Sequence, residues 1–150
     1  MKSSLKTILL AGFTSGTLDI LAAIILLGKM KPVPLLKYIA SGVFGREAFT
    51  GGDEMALFGL LFHYLIAFSF AIAYFLLFPQ IPLFRKHKLL SGLLYGMVVW
   101  AVMNLVVVPM SRVSRGPLTL ESAFLGIAIL VVCIGLPISF IVHRYYVLKR

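Results

Sequence analysis

The chain is short of acid. It carries 5 Asp and Glu against 14 Lys and Arg, a net charge of +9 over 150 residues. In a soluble protein that imbalance would point to nucleic acid. Here no basic face with interleaved aromatics exists, so no nucleic-acid partner is expected. Cysteine is almost absent as well. Cys133 stands alone, which excludes an intramolecular disulfide and reads as a small buried hydrophobe. There is no glycine-rich phosphate loop, no set of ligands at metal spacing and no nucleophile beside a base. No metal and no cofactor are therefore expected, and the expected role is non-enzymatic.

What is present is apolar. Hydrophobic residues make up 61% of the sequence and the mean hydropathy is +1.04. A domain of this size has no core large enough to hide that much apolar surface, so lipid must solvate the rest. Four runs, at about 7–28, 55–78, 89–108 and 123–142, carry most of it. Each has roughly 20 residues or more, which at about 1.5 Å per residue matches a hydrocarbon core of about 30 Å. The expected fold is an all-α integral membrane protein, one domain over 1–150 with four transmembrane helices. The start of the first run resembles a signal peptide, but its apolar stretch continues through Leu27 without a small-residue cleavage site, so it is expected as a retained span.

Between spans one and two, residues 34–49 are too short and too charged to cross, with Lys37, Arg46 and Glu47 among Leu35, Leu36, Ile39, Val43, Phe44 and Phe49. They read as an amphipathic helix, interfacial or re-entrant. Asp53 is placed to cap span two. Pro109 is expected to stop span three, and Pro137 to kink span four.

Basic residues sit at span ends: Lys2, Lys6, Arg85, Lys86, Lys88, Arg144, Lys149 and Arg150. With both termini and the loop 85–88 inside, that side holds these eight and no acid. The other holds six Lys/Arg with Glu47, Asp53, Glu54 and Glu121. The bias favours N-in/C-in. Arg85, Lys86 and Lys88 are expected to meet anionic lipid headgroups.

Three residues break the apolar rule inside the spans: Asp19, His63 and Asn104. A carboxylate at mid-membrane is costly and should face a cavity or a partner. Counted from the outer ends of their spans, the three lie about 13, 9 and 6–7 Å deep, so one polar cluster is allowed. Two readings stand. The cluster is a site for a proton, a cation or an amine, which makes the chain a small coupled transporter or channel. Or it is glue between helices, at about 0.6–2 kcal/mol per contact. Gly12 with Gly16, and Gly92 with Gly96, are small-xxx-small pairs suited to close packing, within the monomer or in a homo-oligomer.

The run Gly59, His63, Ser69, Phe70, Ala71, Tyr74 and Pro79, followed by Lys88, Leu89, Gly92, Leu93, Leu94, Gly96, Asn104 and Pro109, resembles the YagU-like family of small bacterial inner-membrane proteins. The likeness covers chiefly spans two and three. It implies a multi-pass inner-membrane protein and supplies no reaction.

Overall fold

The computed structural model describes residues 3–148; the basic residues Lys2, Lys149 and Arg150 lie outside them. Within that range every regular element is helical and no strand forms. Four helices are long and apolar enough to cross a membrane: α1 (Ser4–Leu26), α4 (Glu54–Leu77), α6 (Lys88–Met110) and α7 (Leu120–Leu148). Between the first two lie α2 (Pro32–Phe44) and the single turn α3 (Glu47–Thr50), and α5 (Pro82–Lys86) joins α4 to α6.

The boundaries follow local chemistry. The chain leaves α1 through Lys29 and Met30, which take φ of 49° and 66°, and Pro32 then opens α2 at a position where its missing N–H costs nothing. The amphipathic segment is two helices rather than one over 34–49. It breaks at Gly45, whose φ of +64° ends α2. Asp53 occupies the cap position of α4 without making a cap bond. The Glu54 carboxylate instead accepts from the Gly52 N–H at 2.9 Å. Thr119 and Ser122 cap α7 reciprocally, each backbone N–H reaching the other's hydroxyl at 3.1–3.2 Å.

Helix α6 ends at Met110, one residue past the expected stop at Pro109, and a widened turn precedes Pro137. In both helices a π turn, Met103–Val107 or Val131–Gly135, ends directly before Val108-Pro109 or Leu136-Pro137. The Val108 N–H reaches Met103 O and the Leu136 N–H reaches Val131 O. Widening the turn makes room for a ring that would otherwise strike the carbonyl four residues back. Both helices therefore outrun their expected spans, and α7 extends 29 residues.

Helix α4 packs on α1 and α2, α1 packs on α7, and α7 packs on α6. The glycine pairs make these contacts within one chain. Gly12 meets the Phe68 ring, and a Cβ on Gly16 would stand 2.9 Å from the Tyr64 ring. Gly92 and Gly96 instead press on the backbone of α7 around Val131 and Gly135. The two pairs lie in different interfaces, each against an antiparallel neighbour. Outward faces stay apolar, with Leu61, Leu65 and Leu76 more than half exposed.

Near α5 a set of polar side chains is buried and paired. Tyr74, fully buried, places its hydroxyl 2.9 Å from Ser91 Oγ and 3.0 Å from Ser139 Oγ, and Ser139 donates to Lys88 O at 2.5 Å. Phe84 stacks on the Tyr74 ring at 4.6 Å, and Tyr95 donates to Phe70 O at 2.7 Å. These bonds fasten α4, α6 and α7 together. At the opposite end α2 fills the space beside α4. Its Leu36 backbone touches Gly59, where any side chain would collide. Its Phe44 ring meets Phe58 at 5.3 Å, and Gly42 O accepts from the Arg112 N–H at 3.0 Å.

Candidate functional site

Asp19 sits on α1, one turn beyond the glycines that seat α1 on α4. That close seating brings His63 of α4 up to the α1 backbone. His63 Nε2 lies 2.7 Å from Gly16 O. A carbonyl only accepts, so this partner puts the hydrogen on Nε2. Nδ1 is thereby turned to Asp19, 3.9 Å from Oδ2. That distance is beyond a direct hydrogen bond, and the two groups attract as an ion pair only when the imidazole is protonated. Alongside, Thr17 Oγ1 and Tyr64 OH bond at 2.7 Å. Both members of the pair are mostly withdrawn, at 11% side-chain exposure for His63 and 16% for Asp19.

The remaining Asp19 surface faces empty space. Two partly open cavities, of about 210 and 450 Å³, meet there. They share Asp19, Ala23, Leu27, Tyr38, Met103 and Leu130. The smaller reaches past His63 toward Phe70 and is walled by Leu35 and Ile39 of α2. The larger reaches Trp100 and Asn104 of α6, Arg115 of the following loop, and Ser122 of α7. The walls between are apolar, as in small-molecule sites that fix a ligand with a few polar groups.

Asn104 does not join the Asp19–His63 pair. It lies in the π turn of α6 and donates from Nδ2 to Trp100 O at 3.0 Å, while its Oδ1 accepts from Arg115 at 2.8 Å. Its own needs hold it on α6, so it shares a cavity with Asp19 rather than a bond. Arg115 was not anticipated, because a loop arginine in sequence looks like a solvated charge. Tyr38 was not either. Partial burial holds its phenol above the ordinary value, and the nearby Arg115 charge pulls the other way.

The other singled-out residues lie apart from the cavities. Arg85 and Lys86 are exposed on α5, and Lys88 Nζ stands 5.0 Å over the Phe140 ring. Cys133 is a free, buried thiol. Among the described residues no group of three or more His, Cys, Asp or Glu could hold a metal ion.

Fold and site together define an all-helical chain with four membrane-length helices around a lined cavity. Compared with known proteins, it matches no family model, no curated protein and no solved structure. The resemblance to the YagU-like family rests on the residues quoted for it.

Proposed function

We propose that this is a non-enzymatic, multi-pass inner-membrane protein that takes a proton or a small ammonium group at Asp19 and His63 and carries it through the bundle. The observation behind this reading is that the costly carboxyl faces a cavity instead of a closed contact. The membrane encloses the apolar faces of α1, α4, α6 and α7. Both termini and α5 face the cytoplasm, where Lys6, Arg85, Lys86, Lys88 and Arg144 meet anionic lipid. The cavity then lies in the outer half.

The test is flux. The full chain goes into proteoliposomes with a trapped pH dye, and a potassium diffusion potential is applied. Wild type should acidify or alkalinise the lumen with the imposed potential. Asp19→Asn, folded by circular dichroism, should not. Equal flux from both would sink the reading. A C-terminal reporter found on the outer face would reject the orientation.

A second reading has its own support. His63 to Gly16 and Thr17 to Tyr64 tie α1 to α4, which is what helix glue requires. Under it, Asp19→Asn changes nothing but stability, and only modestly.

A further inference from the structure

The larger cavity has two charged walls of opposite sign. Asp19 stands on the α1 side, with His63 behind it. Arg115 stands on the α6 side, turned back onto Asn104 with NH1 2.8 Å from Oδ1 and NH2 3.4 Å from the backbone carbonyl. Ala23, Leu27, Met103 and Leu130 line the space between. From this arrangement we infer that the ligand of the cavity is a small zwitterion, with an ammonium group for Asp19, a carboxylate for Arg115 and an apolar middle. The inference rests on the reading of Asp19 given above and adds a second recognition point.

Electrostatics argue for both ends at once. A bare cation entering the cavity is attracted by Asp19 and repelled by Arg115. A bare anion meets the reverse. Asp19 is largely withdrawn, so its pull is weakly screened, while the exposed Arg115 at the rim acts through a more screened charge. A zwitterion lying across the cavity meets attraction at both ends. Arg115 also has donors to offer. Its present acceptors are a neutral amide and a carbonyl, both from Asn104. A carboxylate is a stronger acceptor for the guanidinium fork and can take two N–H groups side by side. Asn104 thus holds the arginine in the cavity until the ligand's carboxylate replaces it. Tyr38, on α2, lines the same space, and its hydroxyl can donate to the carboxylate end or accept from the ammonium end.

The test uses the full chain in nanodiscs and three probe series of matched length. These are ω-amino acids from glycine to 8-aminooctanoate, the corresponding alkylammonium ions, and the corresponding carboxylates. Binding is read by calorimetry. At least one ω-amino acid should bind about tenfold or more tighter than its alkylammonium and carboxylate counterparts. Arg115→Gln should abolish that advantage and leave the alkylammonium affinity equal or higher. Arg115→Lys, which keeps the charge without the fork, should retain part of the advantage. Equal binding of alkylammonium and ω-amino acid, indifferent to Arg115→Gln, would overturn the zwitterion and leave the cation site standing. Failure of every ω-amino acid to bind overturns it too. The proteoliposome flux then decides separately whether Asp19 carries a proton alone.

Discussion

The two ends of the bundle treat polar side chains in opposite ways. Near α5, Tyr74, Ser91 and Ser139 form a closed set, buried, each hydroxyl paired, with aromatic rings packed over it. Near α2, Asp19 and His63 stop short of each other at 3.9 Å, and Arg115 and Asn104 face them across open volume. The first arrangement is what polar glue looks like when it is finished. The second leaves room. Strong charge has been placed where packing is loose, and neutral hydroxyls where it is tight. That ordering is the reverse of what stability alone would select, because charge is the costlier group to leave unpaired.

The comparison can be broken most forcefully at the glycine seams. Gly96→Leu should abolish the folded bundle in detergent, read as loss of a cooperative thermal transition. Its new side chain would meet the α7 backbone at Val131, which cannot give way. Gly16→Leu faces the Tyr64 ring instead and should cost about 1–3 kcal/mol, less than Gly96→Leu. Equal, small effects from both would mean that neither seam is close-packed.

Next comes Tyr74→Phe. It leaves Ser91 and Ser139 without their shared hydroxyl in a dry site, and should lower stability by about 1–2 kcal/mol with flux intact. Asp19→Asn should do the opposite, leaving the melting temperature equal or raised while flux disappears. If Asp19→Asn destabilised as much as Tyr74→Phe, the two ends would be alike and the cavity would be mere looseness. The smallest effect is expected from Asn104→Ala. It frees Arg115 without touching a seam, so stability should change by less than about 1 kcal/mol. Only the preference for an ω-amino acid over its alkylammonium should fall.

The four long helices were legible because lipid leaves few choices. A run of some 20 apolar residues has one cheap conformation in a bilayer. Asp19 and His63 were legible for the same reason, since charge in such a run is conspicuous and depth can be counted. The hydroxyl set near α5 was not. Serine and tyrosine cost little in an apolar helix, so Ser91 and Ser139 gave no signal, and Tyr74 stood out only as one position of a family resemblance. Arg115 was hidden because loop charges look solvated. The π turns ahead of the prolines were not legible, because a ring can be accommodated by widening a turn as well as by ending a helix. The side of α4 that α2 covers was invisible as well. Its apolar residues would suit a lipid surface or a helix face equally, and only the bare backbone at Gly59 marked the docking point.

That docking point sets an order of events during synthesis. Helix α2 is made before its main supports, because Gly59 lies in α4 and the Arg112 N–H that bonds Gly42 follows α6. When α2 first emerges only α1 is there to touch it, and it is too short to cross by itself. It must wait at the membrane surface, as an amphipathic segment can, until some 70 further residues have been threaded. The wall of the cavity is therefore among the first segments translated, yet it is seated only after α4 and α6 have followed it. Ser139, which closes the polar set near α5, is translated later still, so the cavity wall can be seated before the other end is joined.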